Sequence, residues 1–465
     1  MSAQAKTTTK HDLTTGPVAA HLRRQAVPFG FGLLAIFSFE AVDLFFISML
    51  GDEPLAAVSF TFPVIWLVYG IGIGFEAGVA SCVSRAMGRK DEEGAKRLVT
   101  DTAMLGGGVF VLLAIVGLLN IQAVFALLGA TPAVMPLIHQ YMSIWYWVAP
   151  VDAVLWISLA AVRARGNTLL ESKFIIAAAV LNLILDPLLI FGLLGFPRLE
   201  IEGAALATLI STGTILVLAL SHLVGRLQIF ATPFASMATI VKSWKHVLTI
   251  GIPAMITNAI IPVSSGIVVA MIAAFGVDAV AGFGIAMRIE PLVLIPFYAL
   301  SAVTSPFFGQ NSGARQFDRL REARRLLTLF CLGSGLLLAI ALDLLAKPIA
   351  ALYSDSPAIR EVTVHYFWIV SLSYGAYGLV MSINAAFNGM GHPLPGVVIS
   401  GLRVLVLFLP LALIGRALLG LEGLFVASSL ANLTLVVVGW LWLGKQIDKI
   451  AHGNRGEGAA PTSTR

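Results

Sequence analysis

Twelve apolar runs of about 20 residues follow one another along this chain, and each is long enough to cross a bilayer as a helix. They lie near residues 27–50, 56–83, 101–128, 135–161, 174–195, 203–223, 248–275, 280–307, 326–346, 363–388, 396–416 and 421–444. Backbone inside a bilayer must satisfy its own hydrogen bonds, and runs of this length do so as helices. The expected fold is therefore an all-α polytopic membrane protein. Only 12% of the 465 residues are charged, too few to coat a soluble protein of that size.

The charges that remain report topology. Lys and Arg gather in alternate connections, as at Arg85 to Arg97, Arg163 to Lys173, Arg226 to Lys245 and Arg315 to Arg325. Those connections are expected on the cytoplasmic side, which puts both termini in the cytoplasm. The net charge of +5 is spread over these short pieces rather than one patch, so nucleic acid is not an expected partner. Residues 1–26 are polar, and no apolar leader with a small-residue cleavage site precedes Val27, so no signal peptide is expected. Cys82 and Cys331 stand alone in apolar segments, which fits helix packing rather than a disulfide or a metal.

The longest break between strongly apolar spans divides six from six. The domains expected are a cytoplasmic segment 1–26, a lobe 27–223, a cytoplasmic linker 224–247, a second lobe 248–444 and a disordered tail 445–465. A constant shift of 225 superposes the halves: Pro28 falls on Pro253, Gly51 on Gly276, Gly88 on Gly313, and Ala160–Gly166 on Ala385–Gly391. Later the shift changes, and EGAALA at Glu202 aligns with EGLFVA at Glu422. Six helices is an even number, so the lobes run the same way through the membrane, related by a pseudo-twofold axis along its normal. Two parallel lobes with a cleft between them follow.

Packing should repeat between the halves, whereas function need not. Glu40 and Asp43 sit i, i+3 in the first span, at a depth where an acid costs roughly 2.5–3.5 kcal/mol to insert. Two such charges oppose each other, so a shared proton or a bound cation is the expected outcome. Under the shift they become Ser265 and Val268. Asn182 and Asp186, one turn apart in the fifth span, become Leu407 and Leu411. Ion coupling is thus expected in the first lobe alone. Oxygen donors of this kind suit either a proton or a hard cation such as sodium, and Asp43, Asn182 and Asp186 would be the ligands of the latter. Glu76, Asp152, Asn258 and Tyr298 are candidates for a cleft or gate. Arg288 and Glu290, two apart and so on different faces, are each expected to find a partner on another helix, with Arg403 serving one of them. Most of the aromatics, including Trp66, Tyr69, Trp145, Tyr146, Trp147, Tyr298, Trp368 and Tyr374, are expected in the lipid-facing or interfacial belt, and a minority in the first, second, seventh and eighth spans in the cleft.

From Pro28 to Trp440 the chain resembles the multidrug and toxic compound extrusion (MATE) transporters. The resemblance rests on AVDLFFISMLG, SRAMGRKDEEGAKR, AVRARGNT, LNLILDPLLIFG followed by EGAALAT, and, in the second half, AVAGFGIAMRIE, PFFGQNSGA and AAFNGMGHP, in that order. It implies twelve helices in two lobes and export of amphiphilic, cationic organic compounds in exchange for protons or sodium. It implies no cofactor, and it places the chain in a bacterial inner membrane. Asp43 matches the family's functional acid of the first helix, Pro28 the proline where that helix bends, and Asn182 with Asp186 the cation-binding pair of the fifth. The seventh and tenth spans lack the acids of the sodium-binding branch and carry Asn258, Asn384 and Asn388 instead. That resembles the DNA-damage-inducible type, and Glu40 is a departure from the usual pattern. The protein is read as a monomeric carrier in the lipid bilayer. The alternative is a flippase for lipid-linked oligosaccharide or lipid; an intramembrane enzyme would need a metal-binding acidic cluster or paired His, and none is present in the sequence.

Overall fold

The computed structural model describes residues 11–232 and 235–457. The first half supplies α1 (Val18–Ser48), α2 (Asp52–Gly88), α3 (Glu92–Leu119), a short α4 (Ile121–Leu127), α5 (Met135–Ala164), α6 (Thr168–Phe191) and α7 (Glu200–Gly225). The second supplies α8 (Met237–Ala273), α9 (Val277–Val293), α10 (Ile295–Gly313), α11 (Phe317–Tyr353), α12 (Pro357–Val370), α13 (Tyr374–Gly389), α14 (Leu394–Gly401), α15 (Leu409–Leu419) and α16 (Leu421–Glu457). Eleven spans are long and apolar enough to cross a membrane, and α9 with α10, bent by 48°, makes the twelfth. The twelve-span reading therefore holds. Between α14 and α15 the helix widens into a π-turn at Leu402–Phe408.

Local chemistry sets the helix ends. Asp91 accepts a hydrogen bond from the Gly94 amide at 2.9 Å and so starts α3, while Asn167 caps α6 through the Leu170 amide at 3.3 Å. Gly192 adopts a left-handed conformation (φ 72°) that ends α6. Pro28 lies within α1, and the helix continues through it.

The chain packs as two compact units. One comprises Val27–Met87 and Asp91–Met255; the other comprises the residues up to Ala26, Gly88–Lys90 and the chain from Ile256 onward. The first is centred on α5, whose buried face carries residues such as Trp145, Val148, Leu155 and Val162. The second is built on α10, α12 and α13, with Phe297, Phe307, Phe367 and Phe387 fully buried. Where α11 meets α13, a Cβ on Gly335 would strike the Gly375 backbone and a Cβ on Gly375 would strike the Cys331 carbonyl.

Three expected boundaries move, each for a visible reason. Residues 224–247 do not form a free linker, because the Ala231 amide donates to Thr100 Oγ1 (2.8 Å), the Trp244 indole donates to the Asp101 carbonyl (2.7 Å), and Ile229 is buried. The division between units consequently falls inside α8, at Met255–Ile256. The segment expected at 445–465 as a disordered tail is helical to Glu457, held by the Arg321–Asp448 pair at 2.8 Å.

The N-terminal segment docks as well. Leu13 is fully buried in the unit that holds most of the second half; its amide donates to Gln310 Oε1 (3.1 Å), and its carbonyl accepts from Asn311 (3.1 Å) and Arg319 (2.8 Å). Arg319 also donates to the Gly16 carbonyl at 2.5 Å. A charged donor of this kind contributes about 1.5–3 kcal/mol per bond. Arg319→Ala is therefore expected to speed amide exchange across residues 12–18 by about ten-fold or more. Unchanged protection there, measured by hydrogen exchange, would contradict the docking.

Candidate ion-coupling site

Five helices of the first unit contribute to a polar cluster in an apolar bundle. From α6, Asn182 and Asp186 project one turn apart and are buried, Asp186 completely. The Asn182 amide bridges two helices: its NH2 donates to Asp186 Oδ2 at 2.8 Å and its carbonyl accepts from Thr208 Oγ1 of α7 at 3.2 Å. Asp43 enters from α1, with Oδ1 buried and unpartnered among the described residues. Its charge acts on Asp186, and that of Glu40 acts on Asp43. Glu40 itself is exposed.

Two aromatic residues complete the group. Tyr141 of α5 is buried where the charges of Asp43, Asp186 and Glu40 all act on its phenol. Tyr69 of α2 feels the charges of Asp152, Glu40 and Asp43 and stacks on Trp156 with ring centroids 6.4 Å apart. Asp152, buried with Oδ1 unpartnered, thus stands at the margin of the cluster. Tyr69 is half-buried, whereas Trp145, Tyr146 and Tyr374, expected in the belt, are buried, each 4% exposed or less. Their large rings fill helix interfaces.

Glu76 goes elsewhere. It pairs with Arg163 of α5 at 2.8 Å, and the same guanidinium holds Glu171 of α6 at 2.5 Å while lying over the Phe29 ring of α1 at 4.9 Å. A buried arginine between two acids ties four helices together, and in this structure Glu76 is one of its two partners. Asn258 and Tyr298 belong to the other unit and are not part of this cluster.

That second unit holds its own polar network. Tyr366 of α12 donates a short hydrogen bond to Glu290 of α9, and the charge of Arg403, on the π-turn, also acts on Glu290 and on Tyr298. Arg403 makes no direct ion pair among the described residues; it donates to Asn432 Oδ1 at 3.4 Å and lies over the Tyr377 ring at 5.0 Å. Arg403, expected to serve one of Arg288 and Glu290, acts on Glu290 through its charge, but the direct partner of that acid is the Tyr366 phenol, while the guanidinium on the π-turn reaches Asn432 and Tyr377.

The sequence reading missed Tyr141 and Thr208, although one signal for Tyr141 was available. The shift of 225 places Tyr141 on Tyr366, and both face acids, drawn from α1 and α6 in one unit and from α9 in the other. Chemically the first cluster offers carboxylate, amide and hydroxyl oxygens and no cation. Among the described residues no group of three or more His, Cys, Asp or Glu side chains has the arrangement of a metal site, so a sodium ion would rest on two carboxylates and the Asn182 amide.

Comparison with known proteins agrees with this architecture. The MatE family profile matches residues 28–188 and again 253–414. The two matches start 225 residues apart, as the repeat requires. A FAD transporter of Shewanella oneidensis is 37% identical, over 92% of this chain and 94% of its own length. A probable multidrug resistance protein of Bacillus subtilis is 27% identical over 86% of this chain and 89% of its own. The crystal structure of a Vibrio cholerae MATE transporter in the bent form is 31% identical, with a TM-score of 0.89, covering 96% of this chain and 99% of that one.

Removing the cation from the buried triad tests its structural role. Arg163→Gln strands two buried acids and is expected to cost about 3–5 kcal/mol, read as a lower thermal midpoint in detergent. Arg163→Gln combined with Glu76→Gln and Glu171→Gln is expected to recover much of that loss; a single variant as stable as wild type would rule the role out.

Proposed function

Because the chain belongs to the MatE family, and so is a membrane transporter rather than an enzyme, we propose that it is a secondary active exporter coupled to inward flow of protons or sodium. Its proposed coupling residues are Asp43, Asn182 and Asp186, with Glu40 beside them. The observation that carries the reading is the burial of Asp186 beside the Asn182 bridge to Thr208, with the charge of Asp43 on α1 acting on Asp186. Two carboxylates without a base favour binding a proton or a monovalent cation, since each bound charge relieves their repulsion. In alternating access, loading the site stabilises one conformation of the carrier and unloading it stabilises the other. Free energy then comes from differential affinity. Pro28 within α1 is the proposed point of bending, because proline removes one helix hydrogen bond. The carrier is read as a monomer in an inner membrane with both termini cytoplasmic.

Two substrate classes have support. Relatives named for multidrug export favour amphiphilic organic cations. The FAD transporter, the more similar of these relatives at 37% identity, favours a flavin dinucleotide, and this is the reading we prefer.

Asp43→Asn keeps the volume of the side chain and removes its charge. It is expected to abolish gradient-driven export from vesicles while the protein stays folded, and efflux at the wild-type rate would refute the assignment. Tyr141→Phe removes a hydroxyl beside both acids; it is expected to shift the pH at which transport is half-maximal while leaving the maximal rate within about three-fold. The same vesicles with a proton gradient, a sodium gradient or neither identify the coupling ion.

A further inference from the structure

Arg288 is a charge that neither the coupling cluster nor the polar network of its own unit uses. It lies in α9, eleven residues after Val277, hence about 17 Å along the helix from its first residue. The hydrocarbon layer is about 30 Å thick, so the guanidinium sits near its middle. The side chain is exposed there, and among the described residues no acid pairs with it. An exposed arginine at that depth is too far from either interface to snorkel, and a charge there is stable against water rather than against lipid.

Three further observations turn an exposed charge into a recognition site. Glu290, two residues on and therefore on another face, is occupied inside the unit by Tyr366 and lies under the influence of Arg403. It leaves Arg288 uncompensated. The helix carrying Arg288 is also half of the bent span: α9 ends at Val293 and the chain turns by 48° into α10. Broken helices near the midplane are where carriers place their substrate sites. Finally, the repeat puts Pro63 at the position equivalent to Arg288, so the cation is not part of the scaffold that both halves share.

A guanidinium presents five N–H donors in a planar fork that matches phosphate oxygens two at a time. We infer that Arg288 is the anion-recognition residue of the transport cycle and that the substrate carries a phosphate or pyrophosphate group. The inference rests on the flavin dinucleotide reading above and deepens it, since FAD joins an aromatic isoalloxazine to a pyrophosphate. It also sets a direction of selectivity: an uncompensated cation near mid-membrane opposes cationic drugs and favours anionic cargo.

The test uses the full chain in proteoliposomes with an imposed ion gradient. FAD is compared with riboflavin, which keeps the isoalloxazine and lacks phosphate. Arg288→Gln is expected to lower the ratio of kcat/KM for FAD to that for riboflavin by ten-fold or more. Arg288→Lys keeps the charge and loses the fork, and an intermediate fall is expected. A protein that merely lost packing would lose both substrates together. Inorganic pyrophosphate is expected to compete with FAD on the wild-type protein and not on Arg288→Gln. An unchanged ratio in both variants, or no competition by pyrophosphate on wild type, overturns the role of Arg288 and leaves flavin export standing. Wild-type protein that moves ethidium but not FAD overturns both.

Discussion

A charge inside a membrane-spanning helix bundle has little water to fall back on, and the way each buried charge is compensated organises this protein. Arg163 answers two acids at once and thereby ties α2, α5 and α6 to each other, with Phe29 of α1 against its face. Glu290 is answered by a phenol. Asp43 and Asp186 are answered by an amide, a nearby phenol and each other, with no base. Compensated charges hold helices in place. An uncompensated pair must take its counter-charge from outside, which is the physical requirement of an ion-coupled carrier.

The internal repeat shows how one scaffold is given different tasks. Tyr141 and Tyr366 occupy equivalent positions and both meet carboxylates, but the acids arrive from different helices. The same substitution of roles explains Arg163, whose repeat equivalent is Asn388, and Glu171, whose equivalent is Gly396. The triad is therefore confined to the first unit. The second unit alone carries the π-turn at Leu402–Phe408 among the described residues, and from it Arg403 lies over Tyr377.

Hydropathy made the spans legible because the bilayer fixes their length and forces the helix. The docking of the polar segments was not legible. Leu13 belongs to the second unit through Gln310, Asn311 and Arg319, nearly 300 positions away, and Ala231 is tied to Thr100 across more than a hundred. Nothing in a local pattern announces such contacts. Asp43, Asn182 and Asp186 stood out because a carboxylate or amide in an apolar run is costly wherever it points. Glu76 stood out for the same reason, yet its role depended on Arg163, whose position at the end of a span read as a cytoplasmic charge.

What the sequence by itself determined is the all-helical, twelve-span, two-repeat plan and the confinement of the acid pair to one repeat. Those follow from hydrophobic length and from residue identity at a fixed shift, both one-dimensional quantities. Only the tertiary structure decided which buried charges meet. Pairing depends on helix rotation, and a hundred degrees per residue separates Glu290, turned inward to Tyr366, from Arg288, left exposed.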